Sequence, residues 1–219
     1  MKPTEIEGVF KEKNRIFTEN LDSCRGIKVY NEKLITNKKR EYRSWNPYRS
    51  KLAAAILKGV IVDIKPDDYI LYLGAATGTT VSHISDIIKR GIVYAVENSP
   101  VAVHDLIKVS EKRQNVIPIL GDANHPDRYS SLVPSVDLIY QDISQRNQAE
   151  IFIANVSRYL KKRGTGIFMV KARSIDVSLQ PKQAYKLVCS QLEEYGLKVI
   201  KTIDLAPYEK DHAAIFVSV

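Results

Sequence analysis

From Tyr69 to the end, the chain repeats one pattern: a short apolar run, a turn, and an interval with helical spacing of apolar residues. The runs are "YILYLG", "GIVYAVE", "VIPILGD", "VDLIYQD", "GTGIFMVK", "LKVIKTIDL" and "HAAIFVSV", and a helical pattern lies between each successive pair of the first six. Strands separated by amphipathic segments call for a parallel sheet with crossover helices packed on both faces. The last two runs leave no room for a crossover helix, so they must pair antiparallel. The expected fold is therefore α/β, a Rossmann-like seven-stranded sheet whose final strand runs against the others.

Ahead of this pattern, "GVFKEKNRIFTEN" and "GIKVYNEKLI" alternate apolar and polar positions around Lys-Asn or Asn-Glu, and each reads as a β-hairpin. The basic stretch "NKKREYRSWNPYRSK" reads as a connector, and "SKLAAAILKG" as a helix capped by Ser50 and stopped near Gly59. This divides the chain into a small β-rich region with its basic connector, residues 1–50, and a main domain, residues 51–219. With 219 residues at 44% hydrophobic content, one sizeable core can be buried.

Lys and Arg number 33 against 25 Asp and Glu, and the net charge of +8 favours polyanions such as RNA, although solubility alone also explains it. Cys24 and Cys189 lie far apart without metal-ligand spacing, so neither a disulfide framework nor a zinc site is expected. The opening "MKPTEIEGVF" carries acids where a signal peptide needs an apolar run, and the apolar stretch from Leu52 is broken at Lys58. A cytoplasmic protein without membrane contact is the expectation.

In a doubly wound sheet a ligand lies beyond the carboxyl ends of the strands, where the winding reverses. The first of these strands runs into a turn in which Gly74 and Gly78 flank Ala75, before Thr79 and Thr80 start a helix. The middle glycine of a dinucleotide fingerprint is replaced by Ala76 and no third glycine follows, so a pyrophosphate site is not indicated. By itself this turn serves structure as readily as a ligand. The second strand ends in Glu97, placed to accept from both hydroxyls of a ribose, and the third in Gly121-Asp122, where a carboxylate and the amide of Ala123 can read an adenine edge. Taken singly, each acid is an ordinary capping or loop residue. In series, the turn and the two acids describe a nucleoside pocket lacking a pyrophosphate site, as S-adenosyl-L-methionine requires.

The motifs "NPYRSKLAAAIL", "YLGAATGTTVSHISDI", "VYAVENSP", "VIPILGDANHP", "VKARSIDVS" and "PYEKDHA" together resemble fibrillarin, the 2′-O-methyltransferase family of box C/D guide-RNA particles, over almost the whole chain. The glycine/arginine-rich tail of eukaryotic members is absent, so the chain is most similar to the archaeal fibrillarin-like branch. The resemblance implies a class I S-adenosylmethionine-dependent methyltransferase acting on rRNA or tRNA. It implies a catalytic set of Lys51, Asp142, Lys171 and His212, with Asn98 and Gln145 joining Gly74, Ala75, Gly78, Thr79, Thr80, Glu97, Asp122, Ala123 and Asp142 around the cofactor. It also implies partners: a Nop-family scaffold, a kink-turn-binding ribosomal-type protein, a box C/D guide RNA and its target RNA. Relative to the family pattern, Asn98 replaces an aromatic residue, Gln141 a small one, and "SQRNQAE" a proline-containing loop.

A ribose hydroxyl is a poor nucleophile whose proton must be removed or shared while its oxygen is held in line with the methyl carbon. Lysine ordinarily titrates at about 10.4, so Lys171 as base requires a depressed value. The other assignment keeps Lys171 charged against the developing alkoxide, with the proton leaving through Asp142 or water. The first is favoured. Two other classes remain: an RNA-binding subunit without activity, which would not need acids at successive strand ends, and a methyltransferase for a different substrate, which would not need paired lysines. No base-reading module is recognisable, so target choice must lie in another molecule. The helical faces after "QRNQAE" and around "PKQAYKLVCSQLEEY" are equally suited to scaffold docking or to core packing.

Overall fold

The computed structural model describes all residues, 1–219. Five short strands come first: β1 (Lys2–Pro3), β2 (Val9–Glu12), β3 (Arg15–Glu19), β4 (Leu34–Asn37) and β5 (Arg40–Trp45). They form an antiparallel sheet in the order β1-β2-β3-β5-β4. The helix α1 (Lys51–Leu57) follows, with the Ser50 hydroxyl accepting from the Ala53 amide at 3.4 Å, so the expected cap is in place.

The remainder is β6 (Tyr69–Leu73), α2 (Thr79–Ile87), β7 (Ile92–Glu97), α3 (Pro100–Ser110), β8 (Val116–Leu120), β9 (Val136–Gln141), α4 (Gln148–Tyr159), β10 (Leu160–Lys171), the short α5 (Ala172–Ile175), α6 (Pro181–Glu194), β11 (Lys198–Asp204) and β12 (His212–Ser218). The seven strands lie in the order β11-β12-β10-β9-β6-β7-β8. Only β12 opposes its neighbours, pairing antiparallel with both β10 and β11. The winding passes from β6 outward to β8 and then restarts at β9 on the other side, so the reversal lies between β6 and β9.

Side chains alternate across this sheet, as a strand requires. Ile70 and Tyr72 face a core shared with α1, α2 and the N-terminal sheet, while Leu71 and Leu73 face a second core closed by α4 and α6. The covered faces explain why these strands read as unbroken apolar runs.

Two expectations differ from the structure. Between β8 and β9 there is no α-helix but a single 3-10 turn, Pro126–Tyr129, because Pro126 and Pro134 leave too little chain for regular turns. The second hairpin is also not "GIKVYNEKLI". Gly26–Lys33 forms a loop folded around Glu32, whose carboxylate accepts from the amides of Val29 and Tyr30 at 3.1 and 2.8 Å. The hairpin is β4–β5, turning at Lys38 (φ 55°) inside the stretch expected to be a basic connector. Arg43 of that stretch is buried, not solvated: its guanidinium bonds Glu32 and Asp86, the latter from α2 at 2.8 Å. Arg113 closes on the other oxygen of Asp86 at 2.6 Å.

Candidate active site

The winding reversal puts the ends of β6 and β9 side by side. The Asp142 amide donates to the Leu73 carbonyl at 2.9 Å, and the chain then passes so close to Gly74 that a Cβ there would stand 2.3 Å from the Asp142 carbonyl oxygen. With φ at +82°, Gly74 is also in the region that only glycine enters without strain. The turn continues through Ala76 (φ 47°) to Gly78 (φ +88°), which caps α2 and packs on Leu106 and Val109 of α3.

Glu97, at the end of β7, faces this turn. One carboxylate oxygen accepts from the Ala76 amide at 2.8 Å and the other from the Ser99 amide at 2.9 Å. Each oxygen keeps a further lone pair, so the carboxylate is fixed in direction and can still accept from two neighbouring hydroxyls. Beyond β8, Asp122 accepts from both the backbone and side-chain amides of Asn124 at 2.9 Å, and these bonds hold its carboxyl below the ordinary range. Asn124 also donates to Gln145 at 3.0 Å and accepts from Asn147 at 2.8 Å, tying the loop after β9 to the loop after β8.

Between these loops is a cleft of 270 Å³, whose walls include Gly74, Glu97, Asn98, Asp122, Ala123, Asp142 and Gln145. Seven residues expected around a cofactor therefore share one cavity, with Ala76, Gly121 and Ile143 in addition. Ala75, Gly78, Thr79 and Thr80 do not line it. Thr80 is buried, and its hydroxyl bonds that of Ser50 at 3.0 Å, linking α2 to the start of α1. Asn124 and Asn147 were missed from sequence; an Asn two places after an Asp at a strand end is a turn signal, and nothing local marks its reach to Gln145.

At one end of the cleft the Lys51 ammonium lies 2.9 and 3.0 Å from the two oxygens of Asp142. Their side chains are 18% and 21% exposed, open enough to be reached and closed enough to sense each other. Lys171 ends β10, directly opposite His212 in the antiparallel register, and enters no ion pair. His212 Nδ1 lies 2.6 Å from the Lys210 carbonyl, an acceptor, so Nδ1 carries the proton and Nε2 the free lone pair. Burial and then the positive charge of Lys51 push His212 below its ordinary value, against the opposing Lys210 hydrogen bond, so the ring stays neutral at pH 7. Beneath Asp142, Tyr72 and Tyr140 stack at 4.5 Å, both phenols pushed up by burial, with the Asp142 carboxylate adding to it. Neither can act as a tyrosinate base.

The acid in place of a pyrophosphate cradle, the bare backbone at Gly74 and the capped Asp122 suit a nucleoside with free ribose hydroxyls.

A model of the Fibrillarin family matches residues 1–219. The "Fibrillarin-like rRNA/tRNA 2′-O-methyltransferase" of Methanocaldococcus jannaschii is 50% identical over 199 residues, covering 90% of this chain and 86% of that one. Among solved structures, Aeropyrum pernix fibrillarin in complex with natively bound S-adenosyl-L-methionine is 44% identical with a TM-score of 0.86, covering 95% of this chain and 92% of the other. The chain of a fibrillarin/Nop5p complex is 44% identical with a TM-score of 0.88, and 96% of each chain is covered.

Proposed function

Since this chain belongs to the fibrillarin family, we propose that it methylates ribose 2′-hydroxyls of rRNA, and of tRNA, through the rim formed by Lys51, Asp142, Lys171 and His212. The observation that carries this reading is the Lys51–Asp142 pair, at 2.9 Å, set beside the 270 Å³ cleft at the winding reversal that Asp142 lines with Glu97 and Asp122. When bound, S-adenosyl-L-methionine supplies an electrophilic methyl group on a sulfonium.

The chain's own residues would act around it. Glu97 would accept from the cofactor ribose hydroxyls, and Asp122 with the Ala123 amide would accept from and donate to the adenine edge. Asp142, neutralised by Lys51, would hold the target ribose without presenting a free negative charge to the phosphate backbone. Lys171, in its neutral amine form, would take the proton of the 2′-hydroxyl that receives this methyl group. The lone pair of neutral His212 would accept a hydrogen bond from the Lys171 ammonium so formed. The lysine without a carboxylate partner is the one assigned the proton, which makes the division of labour consistent.

The basic segment of Lys38, Lys39, Arg40 and Arg49, with Lys161, Lys162 and Arg163, can hold phosphates but cannot select a ribose. The proposed partners are therefore a Nop-family scaffold, supported by the relative solved with Nop5p, and a kink-turn-binding protein with a guide RNA that selects the target by base pairing. No helix is long and apolar enough to cross a membrane, and a cytoplasmic particle is the proposed setting.

Asp142→Ala and Lys171→Ala should each lower single-turnover methyl transfer by about 10²–10⁴-fold, the range for one acid–base group. Wild-type rates from correctly folded Lys171→Ala protein would overturn its assignment as the base.

A further inference from the structure

Lys171 is the last residue of β10, and it extends past the strand that should support it. The parallel pairing of β9 with β10 ends at Phe168 and Gln141, whereas on the other side β10 stays paired with β12 as far as Lys171 and His212. The backbone N–H and C=O of Lys171 that point toward β9 would then have no strand partner. Gln148, the first residue of α4, fills the gap. Its side-chain oxygen accepts from the Lys171 amide at 3.1 Å, and its side-chain nitrogen donates to the Lys171 carbonyl at 3.3 Å. The same nitrogen donates to the Gln145 carbonyl at 2.9 Å.

A second glutamine holds the first. Gln141, the residue before Asp142, donates from its side-chain amide to the Gln148 carbonyl at 2.6 Å. Both glutamines are 0% exposed. A primary amide offers one acceptor and two donors in a plane, as a peptide group does, so it can continue a β-ladder where the chain itself cannot. A buried amide is not retained for solvation, and its hydrogen bonds are directional.

We propose that Gln148 is a positioning residue for methyl transfer. Its side-chain amide stands in for the absent strand neighbour of Lys171, fixes the direction in which that lysine leaves the sheet, and couples it to the loop that carries Asp142 and Gln145. The proposal rests on the reading of Lys171 as a reacting group. Gln148 touches no reacting atom; it acts through the backbone of Lys171. A shift of about 1 Å in a reacting group costs on the order of 10²-fold in rate, so a lost strap is visible in kinetics before it is visible in the fold.

The test compares four proteins in the guide-RNA particle assembled with the scaffold: wild type, Gln148→Met, Lys171→Ala and the double variant. Single-turnover methyl transfer is measured together with cofactor affinity by calorimetry. Gln148→Met should lose at least tenfold in rate with cofactor affinity within twofold of wild type, and the double variant should be no more than twofold slower than Lys171→Ala. That non-additivity is what action through Lys171 requires, and a general loss of structure would not produce it. If Gln148→Met does not fold, Gln148→Glu is measured in its place; it keeps the acceptor for the Lys171 amide and loses the donor. A wild-type rate in the Gln148 variant, or losses that multiply in the double variant, would overturn the proposal. An active Lys171→Ala protein would overturn the catalytic reading beneath it, and a slow Lys171→Ala beside a fast Gln148 variant would overturn the positioning role alone.

Discussion

Glu97 shows how one residue serves both the fold and the proposed chemistry. Its carboxylate is held by the Ala76 and Ser99 amides, so it reaches the cleft already oriented. Removing it takes away two charge-assisted acceptors, each worth about 1.5–3 kcal/mol. Glu97→Ala should weaken S-adenosylmethionine at least tenfold by calorimetry; an unchanged dissociation constant would show that the cofactor lies elsewhere. His83 gives a pH prediction at the same scale. It is fully buried against Trp45 and bonded to Thr18 and Tyr30, each at 2.7 Å, and burial, then Arg43 and Arg113, push it well below the ordinary value. The unfolded chain therefore binds a proton below about pH 6.5 that the folded chain refuses, so stability is full above that pH and falls as pH drops below it. The melting temperature should decline on that acid side, and less steeply in His83→Gln; parallel acid limbs in the two proteins would rule out His83 as the cause.

Among elements, the parallel sheet was legible because its strands are buried on both faces and so appear as apolar runs between turns. That Glu97, Asp122 and Asp142 share one cleft was legible for a related reason: the sheet delivers the carboxyl ends of its parallel strands to the same edge. The second N-terminal hairpin was not legible. In "REYRSW" the apolar residues Tyr42 and Trp45 stand three apart, so no alternation marks a strand, and Arg43, buried on the same face as Trp45, is a charge that periodicity assigns to solvent. Its burial depends on Glu32 and Asp86, which are local neither to it nor to each other. The strap on Lys171 was hidden likewise, because a glutamine that completes a ladder is identical in sequence to one that faces water. Asp86 ties α2 to the N-terminal sheet through Arg43 and to the turn after α3 through Arg113, and removing one member of a buried ionic network costs about 3–5 kcal/mol. Asp86→Ala should lose that much in denaturant unfolding; a loss under about 1 kcal/mol would mean that the arginines find other partners.

Taken whole, the molecule gathers the proposed cofactor cleft and catalytic rim at one edge of the sheet, whereas Lys161, Lys162 and Arg163 start β10 at the end opposite Lys171. Under the proposal, the activity is complete only in an assembly that brings the target ribose to Lys171 and Asp142. The most direct measurement assembles the chain with scaffold, kink-turn protein and guide RNA, supplies S-adenosylmethionine with a labelled methyl group, and maps the label on a target RNA. The account predicts one 2′-O-methyl ribose at the guide-specified position, much slower labelling by the chain alone, and loss of the label with Asp142→Ala. Label on a base or on protein, or equal site-specific rates with and without the partners, would contradict it.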